Sequence, residues 1–145
     1  RRSAMEALDG YRELTQLASS LGYSWASIAD IRADQLLFDE ETIIALQNAV
    51  RLNPVEDLAQ RRIIHSGIQH WNEWPEESKK LIRDTIENAL QTDTTLQPYP
   101  ITSFIYDLAL SNEWEGELES YLNNEWLRAT FEKRKRYRQA RSKIK

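Results

Sequence analysis

The chain contains no cysteine. That excludes a disulfide framework, a thiolate metal site and cysteine catalysis, and it leaves both reducing and oxidising compartments open. Glycine and proline number four each in 145 residues, too few for an all-β or loop-rich protein. No stretch approaches the roughly 18 apolar residues that a membrane-spanning helix requires. The opening Arg1-Arg2-Ser3-Ala4 has neither an initiator methionine nor an apolar run behind its charges, so no signal peptide is visible. It reads as the start of a soluble segment cut from a larger, bacterial-type protein, with room upstream for a membrane anchor or further repeats. Gly-rich phosphate loops, nucleophile elbows and Walker patterns are also missing. With 41% hydrophobic and 29% charged residues, the composition is that of an ordinary globular domain.

Apolar residues recur at helical spacing along most of the chain. Ala4, Leu8, Tyr11, Leu14, Ala18 and Leu21 predict a first helix over 3–21, with Gly22 as its left-handed closing residue. Ser24 is the expected N-cap of a second helix, 25–37. The acidic run Asp39-Glu40-Glu41 suits the positive end of a third helix, which stops at Asn53-Pro54. Pro54 then opens a fourth helix reaching about residue 72, and Pro75-Glu76-Glu77 opens a fifth through Leu90. Residues 92–100 lack periodicity and read as a connector. Thr102 or Ser103 caps a sixth helix, and a seventh runs from near Glu113 past Tyr137, with Trp114, Trp126 and Phe131 on its apolar side. Trp25, Trp114 and Trp126 are all expected in the core. No alternating β-branched run appears, so the fold class is all-α, with about seven antiparallel helices. The domain reading is one helical body, 1–127, followed by a basic C-terminal tail, 128–145.

Thr42, Leu46, Ala49 and Pro54 on the third helix, with Trp25, Ile28 and Ala29 on the second, resemble the pattern of a tetratricopeptide repeat. Small residues in that pattern let the two helices of a hairpin approach, large ones fill the gap beside them, and Pro starts the next pair. Ala29 stands where the family usually has Gly, and the interval from Trp25 to Pro54 is one residue longer than usual. The likeness covers residues 25–54; residues 55–91 repeat only its end. It implies a short helical-hairpin solenoid with pairs at 24–53, 54–91 and 101–135, and a non-catalytic scaffold that binds a protein or peptide in its groove. An irregular helical bundle is the alternative architecture.

Catalytic and metal-binding residues are sparse, so the sequence reading is no enzyme, no cofactor and no metal. The only histidines, His65 and His70, lie five apart on one predicted helix, about 140° from each other around its axis. Two ligands without a third do not make a metal site. The segment Trp71-Asn72-Glu73-Trp74-Pro75 has two readings: Trp71 and Trp74 clamp a helix-hairpin corner, or they form an exposed aromatic hot spot for a partner.

The net charge of −4 hides a segregation. Residues 128–145 hold nine basic side chains against Glu132 alone, a charge of +8, which leaves −12 on residues 1–127. Lys133, Arg134, Lys135, Arg136, Arg138 and Arg141 are the candidate electrostatic residues. One reading is an arm for nucleic acid or anionic lipid. A second is a solvated helix end complementing its dipole, with Glu113, Glu115, Glu117 and Glu119 at the start. A third has the tail folding over an acidic face of the body.

Overall fold

The computed structural model describes residues 2–18, 21–52, 56–92 and 99–144. Every regular element among them is helical, so the all-α class holds. The elements are α1 (Arg2–Leu17), α2 (Gly22–Asp34), α3 (Glu40–Leu52), α4 (Asp57–Gln69), a 3-10 turn at Trp71–Glu73, α5 (Glu76–Thr92), α6 (Ile101–Ser111), α7 (Glu115–Glu119) and α8 (Glu125–Ile144). None of these helices is long and apolar enough to cross a membrane. The chain divides into two compact units, Arg1–Ala89 and Leu90–Lys145, with α5 running across the division. The expected division at 127/128 falls instead inside α8, a continuous helix whose inward residues Leu127 and Phe131 belong to the core of the second unit. The proposed opening of α4 by Pro54, and the Asn53-Pro54 end of α3, lie outside the described residues.

In the first unit α2 packs against α1, α3 and α4. Three of its inward positions are small, Ala26, Ala29 and Ala33, and are essentially inaccessible, which lets the neighbouring helices approach. Arg32 ties α2 to the start of α3. Its guanidinium donates to the Thr42 hydroxyl at 3.0 Å and to Asp39, and it pairs with Glu41 at 3.1 Å. Glu41 in turn accepts two 2.8 Å bonds from Arg12 of α1. Asp39 also accepts from the Thr42 amide at 3.3 Å, so the acidic run opens α3 as expected.

Burial repeats along this unit. Ala26, Ala29, Asp30 and Ala33 of α2 have buried counterparts thirty-four residues on, in Gln60, Ile63, Ile64 and Gly67 of α4. Thr42, Leu46 and Ala49 of α3 have theirs thirty-six residues on, in Ser78, Ile82 and Thr85 of α5. The difference falls where the 3-10 turn lies. A Cβ on Gly67 would sit 2.5 Å from Ile82 Cγ2, so α4 and α5 approach as closely as they do only because this residue has no side chain.

Several helix ends differ from the expected ones. Gly22 is the first residue of α2, and Ser24 lies inside that helix. The N-cap is Leu21, without a side-chain bond. Residue 101 already belongs to α6, so Thr102 and Ser103 lie in its first turn, after Pro100. The left-handed residue of this region is Leu36, at φ 60°, just past α2. Its side chain is largely exposed, so little packing offsets the strain of that conformation, about 1–2 kcal/mol for a residue with a Cβ. Leu36→Gly is therefore expected to raise stability by about 1 kcal/mol, after the extra chain entropy of glycine, and a urea-unfolding midpoint would show it.

The second unit departs most from expectation. The predicted seventh helix is two, α7 and α8, separated at Ser120–Asn124. Asn124 Oδ1 accepts from the Leu127 amide at 2.8 Å, which caps α8. The break resets the helical phase. Leu127 and Phe131 point inward, Trp114 is buried as expected, and Trp126 is turned outward, about half exposed. Trp25 is only partly covered.

Candidate functional site

In the second unit α6 and α8 are joined through Tyr106. Its hydroxyl donates to the Leu127 carbonyl at 3.0 Å and shares a 2.8 Å bond with Thr130, while its ring tilts against Phe131 at 5.1 Å. Beside this junction lies a cavity of about 310 Å³. Buried Thr102 and Tyr106 form its inner lining together with Ser103 and Thr130, and Trp126, Lys133, Arg134 and Tyr137 of α8 complete it. Trp126, Lys133 and Tyr137 are seven and four residues apart, which puts them on one side of the helix. Trp126 and Tyr137 are each about half exposed. The Tyr137 ring has Arg134 at 5.4 Å and Arg141 at 5.8 Å.

Part of the positive charge of α8 is paired with acids of the same unit. Arg134 forms a two-pronged pair with Asp107, at 2.7 and 2.8 Å, and Arg138 approaches the same carboxylate at 3.3 Å. Lys135 lies 3.2 Å from Glu132 and 3.9 Å from both Glu115 and Glu119. Lys133, Arg136 and Arg141 have no ion pair among the described residues. The basic segment is thus the outer part of a helix, and three of its six candidate cations are neutralised by acids of their own unit. Of these cations, Lys133 and Arg134 line the cavity.

Asp107 holds this arrangement together. Burial pushes its carboxyl pKa up, but hydrogen bonds from Arg134 and Tyr99 and the charges of Arg134 and Arg138 outweigh that and hold it below the usual carboxylate range. A depressed folded-state pKa contributes stability that is full above the unfolded value, near 4, and is lost as pH falls through the folded value. Asp107→Asn is therefore expected to lower the melting temperature near pH 7, with the gap to the parent protein closing below about pH 4. Thermal unfolding of both proteins across that range measures it.

The tryptophan segment is placed differently from the hot-spot reading. Trp74 is buried, donates its Nε1–H to the Ser66 carbonyl at 3.0 Å and meets Phe38 edge-on at 4.9 Å. It is a core residue of the helix corner. Trp71 is half-buried, with Lys79 at 5.4 Å and Arg83 at 5.1 Å from its ring.

The histidines are closer in role than their helical angle implied. His70 ends α4 as its C-cap, at φ −119° and ψ 32°, so its direction is not set by the helical spacing from His65. His65 Nδ1 lies 2.8 Å from Asp30 and His70 Nε2 3.0 Å from Asp34. The Asp30 hydrogen bond raises the His65 pKa, against the opposing effect of burial. Asp30 and Asp34 are not among the residues the sequence singles out. Their four-residue spacing on α2, which puts both on one face, was the available signal.

Compared with protein-family models, curated proteins and solved structures, the chain gives no match.

Proposed function

We propose that this protein is a non-catalytic helical binding module that docks an acidic segment of a partner protein in the groove between α6 and α8. The observation that carries this reading is the pair of half-exposed aromatics, Trp126 and Tyr137, flanking a 310 Å³ cavity with unpaired Lys133 between them on the same helix face. Exposed Trp and Tyr beside a cation are the side chains that dominate protein interfaces, because they bury much area and lose little rotamer entropy. The cavity has room for one or two side chains, Lys133 supplies the charge for a carboxylate, and the hydroxyls of Ser103 and Thr130 offer hydrogen bonds. We read the first unit as the scaffold part of the same module, two hairpins of tetratricopeptide-like design. Its thirty-four-residue recurrence of buried positions from α2 to α4 is the usual period of that repeat.

A nucleic-acid or anionic-membrane role through α8 has less support. A polyanion needs a run of free cations. Here Arg134, Lys135 and Arg138 are already paired, which leaves Lys133, Arg136 and Arg141 of the six candidate cations.

The test is fluorescence anisotropy with short labelled peptides in which acidic residues flank a Leu or Phe. Single-stranded DNA and vesicles containing anionic lipid are run beside them. Trp126→Ala and Lys133→Glu should each weaken peptide binding by about tenfold or more, and Trp71→Ala should leave it unchanged. Preferential binding of the DNA or the vesicles, with affinity collapsing between low and moderate salt, would overturn the peptide reading in favour of a polyanion.

A further inference from the structure

A second cluster of side chains, in the first unit, lies apart from the groove. α2 carries Asp30 and Asp34 one turn apart, and α4 brings His65 to both of them. The Asp30 carboxylate is almost fully covered and each of its oxygens has a separate neighbour. Oδ2 accepts from Arg62 Nη1 at 2.9 Å, and Oδ1 faces His65 Nδ1 at 2.8 Å. Asp34 is about half exposed, with His70 Nε2 at 3.0 Å from its Oδ1. One ligand atom each from Asp30, Asp34 and His65 lies within 4.8 Å of the other two.

We propose that Asp30, Asp34 and His65 form a binding site for a divalent first-row transition-metal ion such as Zn²⁺, with Arg62 and His70 orienting its two carboxylates. One imidazole nitrogen and two carboxylate oxygens make a three-ligand donor set that leaves a coordination position for water. Bonds of about 2.0–2.2 Å to such donors place neighbouring ligand atoms roughly 3.3 Å apart. The 2.8 Å from His65 to Asp30 has to open by about half an ångström, and Asp34, half exposed and bonded to His70 through one oxygen, closes in from the solvent side. Metal-ligating carboxylates are characteristically held by hydrogen bonds of their own. Both carboxylates here have such a donor, Arg62 on Asp30 Oδ2 and His70 on Asp34 Oδ1, so the ion would take Asp30 Oδ1, in place of its contact with His65, and the other oxygen of Asp34. The imidazole selects against Mg²⁺ and Ca²⁺, which take oxygen ligands. With the His65 imidazole neutral, as ligation requires, two carboxylates against the single Arg62 guanidinium give the site a net negative charge to receive a dication.

The experiment uses the full chain without a polyhistidine tag, stripped with EDTA and titrated with ZnCl₂ at neutral pH in a calorimeter. Expected is saturable one-to-one binding that an excess of Mg²⁺ or Ca²⁺ does not displace. His65→Ala and Asp34→Asn should each weaken it by more than tenfold, and His70→Ala by about tenfold, as for orienting partners of metal ligands. Asp34 is half exposed, so Asp34→Asn keeps its fold even where an Asp30 variant does not, and circular dichroism checks that. Co²⁺ in place of Zn²⁺ should give a visible absorption band that disappears in His65→Ala. Absence of saturable binding by the parent protein, or binding that survives either His65→Ala or Asp34→Asn, overturns the proposal.

Discussion

Phe131→Ala is expected to destabilise the protein by about 3–5 kcal/mol, the usual cost of deleting a fully buried aromatic ring. Phe131 is 1% exposed. One face lies against Tyr106, and the Lys135 ammonium sits 5.1 Å from its ring centre. Removing it takes away buried apolar area and also leaves a void beside a tyrosine fixed by two hydrogen bonds, which limits how far the site can collapse. The midpoint of urea unfolding measures the loss. Tyr106 and Thr130 line the groove, so peptide binding should weaken as well, although Phe131 does not face the cavity. A cost below about 1 kcal/mol would mean that α6 and α8 repack freely, and that the groove is not held in shape by this contact.

Gly67→Ala should act in the opposite sense to helix propensity. In an exposed helix interior the change would stabilise by about 1 kcal/mol. Here the new methyl would lie 2.5 Å from Ile82 Cγ2 and 3.1 Å from Cγ1. Ile82 is fully buried and branched at Cβ, so it has no free rotamer to yield into. A net destabilisation of about 1–3 kcal/mol is expected. The double variant Gly67→Ala, Ile82→Ala removes the obstructing atoms. Its cost should fall short of the sum of the two single changes by about 1 kcal/mol or more. Additive costs would show that α4 and α5 separate without penalty.

These residues also show which parts of the fold were legible in the sequence. The acidic openings of α3 and α5 and the apolar spacing of α2 to α6 follow from local chemistry, and the structure agrees there to within a few residues. The break between α7 and α8 was missed because it contains neither Gly nor Pro; its signal was the Asn123-Asn124 pair, of which Asn124 is the cap. Without the break, Trp126 belongs to the apolar stripe of Trp114. With it, the phase restarts and the same residue becomes the outer wall of the groove. The groove was therefore hidden by one unrecognised N-cap. Pairing of Arg134 and Arg138 with Asp107, twenty-seven and thirty-one positions away, is tertiary and leaves no mark in a count of charges. The same holds for Asp30 and His65, which only the packing of α2 on α4 brings together.

Self-neutralisation within the second unit has a kinetic consequence. Glu115 and Glu119 lie on one side of α8, near Lys135, and Lys133 lies on the other. The unit is close to neutral in sum, with acids gathered round Lys135 on one side and Lys133 unpaired on the other. Such a body attracts an acidic partner weakly at long range and turns to meet it at short range, so electrostatics acts on the encounter more than on the bound state. Raising ionic strength should slow association while leaving the lifetime of the complex, set by Trp126 and Tyr137 in their packed positions, nearly unchanged.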